Sequence, residues 1–305
     1  MKIAVISIAT NNYKTFLSPL VNSIKKFFLP NVDKNFFLFT DERLDWFDSS
    51  VVWSQTEHKS WPYVTLERFN TISPRLDKLK EYDYVFYFDS DLECVDYINE
   101  FDIQSNKNYF AVCHPVNLKR SDFWPVETNE SSTACLKERL DRTYVQGCLW
   151  GARGSHIEHM VNTMKNNIQS DLQNDIIAVW HDESHLNKFL SDHYSESFVL
   201  SPSLAYPENW ELPTKRIIIH KDKNMEQYPR FSGKQSNSMK VDIITSSYKD
   251  IHNLNWKGMV EHIPNSSLIV YEKDDDLKIG EKHTTPHGTI AIPNYGSCDY
   301  AFFLH

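Results

Sequence analysis

The sequence predicts an α/β protein built around a mostly parallel central sheet, and three observations carry that expectation. Apolar runs of strand length at residues 3–9, 36–40 and 84–88 each end abruptly in polar side chains. Segments between them carry apolar residues at helical spacing, the alternation that places helices between parallel strands. In the third run Val85, Phe86, Tyr87 and Phe88 are apolar without a break, as a strand covered by helices on both faces requires.

The first run, residues 3–9, is closed by Thr10, Asn11 and Asn12. Phe16, Leu17, Leu20, Ile24, Phe27 and Phe28 then recur at helical spacing until Pro30 stops them. Residues 36–40 form the next strand and end in Asp41. Strand, helix and strand in this order imply a parallel pair with a right-handed crossover. No G-x-G-x-x-G follows the first strand and no G-K-[ST] occurs anywhere, which argues against a dinucleotide-binding or phosphate-loop fold.

Residues 51–55 read as a short strand, and Trp61-Pro62-Tyr63 punctuates a helix expected over 64–80, with Pro74 bending it. That helix carries Arg68 toward the strand 84–88, either beside its carboxylates or as an ordinary surface cation. Beyond Asp91, residues 109–113 form another strand closed by His114 and Pro115. Residues 117–143 are polar and irregular, long enough to be an excursion over a site. The apolar segment 145–152, VQGCLWGA, contains two glycines that permit close approach of a ligand or tight backbone geometry. A helix follows from residue 155 into the 160s.

In the stretch VWHDESHLNKFL, residues 179–190, Asp182 or Ser184 is expected to cap a helix whose Leu186, Phe189 and Leu190 face the core. Its entry turn would hold Trp180, His181, Asp182 and Glu183. Residues 198–200 and 216–220 are the last strands of this unit, and 221–240 form a polar, partly basic linker. A second pattern begins at 241, with strands at its start, at 267–272 and at 289–292, and a helical end at 301–305. The expected division is therefore a domain over 1–235 and, over 236–305, a small α/β module or the front part of a larger one, its function unknown.

Hydrophobic residues make up 41% and aromatics 13% of the 305 residues, which supports a large core and excludes a disordered chain. The net charge of -9 makes general affinity for nucleic acid or anionic membrane an unlikely role. Local basic groups or a metal can still hold an anionic ligand on such a protein. The amino terminus lacks the pattern of a cleaved signal, and no run approaches the ~18 apolar residues of a spanning helix. The cysteines at 94, 113, 135, 148 and 298 are scattered, as expected of reduced residues in a cytoplasmic protein.

Two constellations carry chemistry. Asp89 and Asp91 stand at the carboxyl end of a buried strand, where ligands of open α/β sheets gather. Paired carboxylates there suit Mn²⁺ or Mg²⁺ with phosphate oxygens completing the shell; a solvated strand end with aspartates as turn residues is the alternative. The second is HDESH at 181–185. Comparison with the zinc motif H-E-x-x-H fails, because Asp182 occupies the position of the glutamate base. Glu183 reads better as a carboxylate beside a reacting carbon, with Asp182 and His181 bonding sugar hydroxyls, or else as part of a polar helix entry. With Trp180 and Trp150 as stacking surfaces, the set points to transfer chemistry on a carbohydrate. A phosphatase and a sugar-binding module remain alternatives.

At these residues the chain resembles glycosyltransferase family 6, which includes the histo-blood-group A and B transferases and the α-1,3-galactosyltransferases. The segment AVWHDESHLNKFL at 178–190 carries most of the resemblance. FTD at 39–41, the Arg68 segment, DSD at 89–91, His114-Pro115, YVQGCLWGA and Ser201-Pro202 follow the family's order over about 1–235. The resemblance implies a GT-A type nucleotide-sugar-binding fold. It implies retaining transfer of galactose or N-acetylgalactosamine from UDP-galactose or UDP-N-acetylgalactosamine to a galactose-terminated glycan acceptor, with an α-1,3 linkage. By the family's pattern Asp89 and Asp91 bind Mn²⁺ and the diphosphate, Arg68 lies near the donor, and Glu183 is the nucleophile candidate. His114 and Trp180 correspond to acceptor contacts and Asp182 to a sugar-hydroxyl contact. Phe39 and Asp41 lie in the stretch near uracil and ribose, and Lys221, Lys223 and Arg230 are candidates for a basic lid over the diphosphate.

Departures from the family refine these expectations. Vertebrate members have an amino-terminal anchor and stem, which this sequence lacks, so a soluble bacterial or phage enzyme is expected. Many bacterial members carry asparagines where this chain keeps DSD, which argues for metal dependence. Cys148 falls at a position that distinguishes the two donors, and its bulk relative to glycine tilts the expectation toward UDP-galactose. Gln146 beside it is unusual. A sugar-binding module without transfer activity, or a metal-dependent hydrolase of a sugar nucleotide, is the alternative function.

Overall fold

The computed structural model describes residues 1–99, 106–120, 122–137 and 143–223, together with the strands of the region 241–304. The chain separates into two units, Met1–Gly233 and Lys234–His305.

In the first unit β1 (Lys2–Ile8) leads through a 3-10 turn into α1 (Leu17–Phe27) and back to β2 (Asp33–Thr40), with β3 (Val51–Gln55) following. The next helical stretch is not the single helix expected over 64–80. It is broken into α2 (Tyr63–Leu66), α3 (Arg68–Ile72) and α4 (Leu76–Leu79), the last two joined by a 3-10 turn at Ser73–Arg75. Two causes are visible. Pro74 lacks the N–H that a continuous helix needs, and Glu67 adopts φ -93 and ψ 16, outside the helical well. The second break starts α3 at Arg68 and turns that side chain inward, where it is 5% exposed.

Strand β4 (Tyr84–Phe88) precedes the short β5 (Leu92–Cys94), β6 (Tyr109–Cys113) and β7 (Val145–Arg153). The remaining elements of this unit are α5 (Gly154–Gln173), α6 (His181–Asp192), β8 (Ser197–Leu200), β9 (Tyr206–Pro207) and β10 (Ile218–His220). The main sheet runs β3-β2-β1-β4-β7-β6-β8. Every pairing in it is parallel except those that β7 makes with β4 and β6. The sheet is therefore mixed but mostly parallel, an α/β arrangement of the GT-A-like kind. A small sheet, β5-β10-β9, lies beside its carboxyl edge.

The apolar run of β4 is buried on both faces. Phe86 and Phe88 pack with Leu17, Leu20 and Ile24 of α1, whereas Val85 and Tyr87 join Phe69, Met160 and Leu186 of α3, α5 and α6. Trp150 belongs to this second layer. It is fully buried, with its ring stacked on Tyr87 at 5.0 Å and 10°. It is thus a core residue and not the sugar-stacking surface expected, because β7 runs through the sheet interior and turns that position toward α3. Gly151 serves the sheet too. An added Cβ there would meet the Val85 carbonyl at 2.4 Å, so the glycine lets β4 and β7 approach.

Two further expectations change. Neither Asp182 nor Ser184 caps α6. The cap position is Trp180, and Ser184 instead accepts a 3.0 Å hydrogen bond from the Trp180 N–H. His181 enters the helix with φ 52, in the left-handed region. The described part of the excursion 117–143 is fastened from below. Ser132 Oγ and the Thr133 N–H both donate to Asp171 on α5, and Glu127 accepts from the Val179 N–H just before α6.

In the second unit β11 (Val241–Ser247) pairs in parallel with β12 (Ser266–Glu272) and β15 (Tyr300–Leu304), and β13 (Lys282–Thr285) pairs antiparallel with β14 (Gly288–Ala291). The chain end is therefore a strand and not the helix expected. YAFFL is a run of strand-favouring aromatics, and pairing with β11 satisfies its backbone.

Candidate active site

Beyond the carboxyl ends of β1 and β4 lies a cavity of about 260 Å³ lined by Asn11, Tyr13, Trp61, Arg68, Asp89 and Asp91, among others. Its floor is made where β4 stops. The Asp89 N–H donates to the Cys148 carbonyl at 2.8 Å, so the strand pairing extends one residue further before the chain turns at Ser90. That turn sends the two carboxylates to different partners. Asp89 Oδ1 accepts from the Tyr87 hydroxyl at 2.9 Å and lies 3.4 Å from Arg68 Nη1. Asp91, 2% exposed, meets Lys223 Nζ and, at 3.3 Å, His220 Nε2.

Arg68 ties this cavity to the entry of α6. Its Nε is 2.9 Å from Asp182 Oδ2, and its Nη1 donates to the Gly147 carbonyl at 2.8 Å. The N–H of the same Gly147 donates to Glu183 Oε2 at 2.8 Å, and the Tyr144 hydroxyl donates to Glu183 Oε1 at 2.7 Å. Both carboxylate oxygens of Glu183 are thus fixed from β7 and the residue preceding it. Asn187, one turn further along α6, donates to the carbonyls of Glu183 and Val145 and accepts from the Val145 N–H. This bolts the helix to the strand.

Charge is concentrated here out of water, and the titrations respond. Burial pushes the Glu183 carboxyl up to about 7, with the Gly147 N–H and the Tyr144 hydroxyl working in the opposite direction. Burial likewise raises Asp182 to about 6 against the attraction of Arg68. Arg68 stays protonated despite burial, since Asp182, Tyr87 and Asp89 surround it. Burial raises Asp89, Arg68 opposes that, and the neighbouring Asp91 charge adds to the rise. Asp91 is held below the usual carboxylate range because His220 and Lys223 outweigh its burial. Burial, helped by the nearby His220 charge, lowers His114 to about 4.

Asp89 and Asp91 are two hard oxygen donors, each already paired with a cationic side chain: Asp89 with Arg68, Asp91 with Lys223 and His220. Two carboxylates lie two residues apart, and burial together with the Asp91 charge leaves Asp89 a group that a further cation would stabilise. Among the described residues no group of three or more His, Cys, Asp or Glu is placed to hold a metal ion. The protein would then supply two ligands and leave the rest to water and phosphate oxygens, the usual pattern of Mg²⁺ and Mn²⁺.

The other residues expected from the sequence fall in distinct places. Cys148 is buried in the core layer of Phe86 and Phe88 and is not among the cavity's lining, although its thiol feels the charges of Asp89, Asp91, Glu183 and Arg68. Gln146, on the same strand, has a side-chain oxygen with no hydrogen-bond partner. Trp180 is 48% exposed, and His181 meets the Trp61 ring edge-on at 4.7 Å. The His114 ring lies against Phe123 and Tyr144. Phe39 is a core residue, Asp41 pairs with Lys14 at 2.9 Å, and neither is among the cavity's lining. Lys221 turns to Glu208 and Glu93, so Lys223 alone of the two lysines reaches the aspartates. Arg230 lies outside the described residues.

Sequence reasoning missed Tyr144, Asn187, His220 and Tyr87 as polar parts of the site. Asn187 was the most accessible of them, one helical turn after Glu183 and therefore on its face.

Comparison with known proteins points one way. The family model described as Glycosyltransferase family 6 matches residues 1–228. The chain is 29% identical over 231 residues to the O-antigen biosynthesis glycosyltransferase WbnI of Escherichia coli, covering 75% of this chain and 97% of that protein. It is 26% identical over 236 residues to globoside alpha-1,3-N-acetylgalactosaminyltransferase 1 of Homo sapiens, covering 72% and 65%. With histo-blood group ABO system transferase 2 of Rattus norvegicus the identity is 25% over 210 residues, covering 66% and 62%. Among the described residues no helix is long and apolar enough to cross a membrane.

Proposed function

The chain belongs to glycosyltransferase family 6, and from that premise we propose that it transfers galactose from UDP-galactose to a galactose-terminated acceptor, retaining the anomeric configuration and forming an α-1,3 linkage. The observation that carries this reading is the bridge between two carboxylate groups. Asp89 and Asp91 lie on the cavity floor, Glu183 is held rigidly behind it, and Arg68 and Gly147 connect them. A sugar nucleotide has the same two-part chemistry, a diphosphate at one end and a reacting carbon at the other.

In this reading the diphosphate meets Asp89 and Asp91 with Lys223, and Arg68 orients it from the α6 side. Were Mn²⁺ or Mg²⁺ bound, Asp89 and Asp91 would hold it, and it would supply electrostatic neutralisation of the departing UDP. Asp182, fixed by Arg68, accepts a hydrogen bond from a sugar hydroxyl. Glu183 faces the anomeric carbon as it becomes oxocarbenium-like and bonds to it or stabilises it, the role carboxylates play in glycoside chemistry. Trp180 and His114 receive the acceptor galactose, with His114 neutral and able to hydrogen-bond. Cys148 follows Gly147 on β7 and carries bulk beyond glycine, which in this reading disfavours an acetamido group and favours galactose.

The test is product analysis. Incubation with UDP-galactose, Mn²⁺ and lactose should give one trisaccharide whose new linkage is α-1,3 by proton and carbon NMR. A β-linked product, or none with any galactoside, contradicts the proposal.

A further inference from the structure

Glu183 is not held by its own helix. Its Oε1 accepts from the Tyr144 hydroxyl at 2.7 Å, across 39 residues of chain. Tyr144 is 1% exposed and has little freedom to do anything else. Phe123 and Trp124 meet its ring edge-on at 5.5 and 6.3 Å, and the His114 ring lies 5.9 Å away. Its carbonyl accepts hydrogen bonds from the His114 N–H and from Asn117 Nδ2, both at 3.0 Å. The phenol is thus clamped between the strap that carries His114 and the carboxylate of α6.

We propose that Tyr144 is a positioning residue for the transfer: its hydroxyl aims the Glu183 carboxylate and favours its charged form, and the aromatic bracket of Phe123, Trp124 and His114 holds that hydroxyl in place. This deepens the reading above and rests on it for the role of Glu183. The physical argument is one of competition. Burial pushes the Glu183 proton on, and Asp182 repels its charge from the adjacent position. Opposing them are the Gly147 N–H, the Tyr144 hydroxyl and, more weakly, Arg68. The first donor is backbone and common to any residue at 147, and Arg68 acts more weakly, so Tyr144 is the side chain that most favours the charge of Glu183. A hydrogen bond to the charged form favours that form. The Tyr144 phenol does not compete for the charge, because burial and the Glu183 carboxylate raise its own ionisation. Cys148, the remaining titratable group close to Glu183, is also held neutral by burial. The same geometry joins the acceptor side to the reacting carboxylate, since His114 and Tyr144 share both ring contact and backbone hydrogen bonds.

Tyr144→Phe tests the assignment with two readouts on the full chain. The first is the titration of the Glu183 side chain by carbon NMR of ¹³C-glutamate-labelled protein, assigned by loss of the signal in Glu183→Gln. Its midpoint should rise in Tyr144→Phe, and the acid limb of the transfer rate should move to higher pH with it. The second is kinetic: loss of a hydrogen bond to a charged group should lower kcat about 10- to 100-fold, while the affinity for UDP, measured by calorimetry, stays within about twofold of wild type. Phe123→Leu, which loosens the bracket but leaves the hydroxyl, should move both readouts in the same direction by less. An unchanged Glu183 midpoint in Tyr144→Phe overturns the proposal, because a merely structural tyrosine would leave it there. Failure of the transferase reading looks different: wild type then releases no UDP in the presence of any galactoside, while the Glu183 titration still responds to Tyr144.

Discussion

Arg68 and Glu183 are joined through the two backbone polar groups of a single residue: Gly147 accepts from Arg68 Nη1 with its carbonyl and donates to Glu183 Oε2 with its N–H, both at 2.8 Å. A cation lining the cavity and the carboxylate behind it are therefore set by the same peptide units of β7. Altering one should be felt at the other.

Arg68→Met should be among the most damaging substitutions in the first unit. It leaves Asp182 and Asp89 without their shared cation, and breaking a buried pair from one side costs about 3–5 kcal/mol. Chemical denaturation should register a loss of that order, and UDP affinity should fall with it. Arg68→Lys should restore part of the stability and little of the UDP affinity, since an ammonium cannot reach Asp182, Asp89 and the Gly147 carbonyl together.

The raised carboxyl of Glu183 predicts a pH-dependent gain from removing it. In the unfolded chain this group titrates at an ordinary 4.5, whereas in the fold burial holds it near about 7. Below pH 4.5 it is protonated in both states and has no linked cost. As pH rises through 7 the folded carboxyl must ionise against its surroundings, and wild type loses stability; the shift corresponds to about 3 kcal/mol. Glu183→Gln should thus melt higher than wild type at pH 8, with the difference closing toward pH 4.5. Asp182 titrates in both proteins, and losing the Glu183 charge that repels it adds to the gain in the same direction. An equal difference at both pH values would refute the assigned cause.

Asn187→Leu should loosen the seam between α6 and β7. The substitution strands the Val145 N–H and carbonyl in the interior, a loss of about 2–4 kcal/mol. Denaturant melts should give the stability loss. Transfer assays at permissive temperature should give a lower kcat with donor KM little changed, because the residue supports Glu183 and not the diphosphate cavity.

Asp91→Asn removes the partner of both His220 and Lys223 and one of the two candidate metal ligands. Calorimetric titration of Mn²⁺ in the presence of UDP should lose most of its heat. An unchanged isotherm would place the ion elsewhere.

Much of this arrangement was legible in the sequence, for local reasons. The strand 84–88 announces itself because four apolar residues in a row suit only a two-sided interior, and its end announces Asp89 and Asp91. Glu183 is visible because three polar residues at a helix entry precede an apolar face. Arg68 could be placed on a helix, yet its burial depended on the break at Glu67, which no residue type at that position signals. Tyr144, Asn187 and His220 act across 39, 42 and 129 residues of chain, and only the strand order of the sheet brings them to the site. Trp150 misled for the converse reason: a tryptophan suited to a sugar is equally suited to a core, and its strand's place in the sheet decides.

The central claim is that Glu183 drives transfer from a UDP-sugar to a galactoside, and UDP release measures it most directly. Wild type with UDP-galactose and Mn²⁺ should release UDP rapidly only when lactose or fucosylated lactose is added, and Glu183→Gln should lose nearly all of that release while still binding UDP. Release at the same rate without a galactoside, as a hydrolase would give, or an undiminished rate in Glu183→Gln, would contradict it.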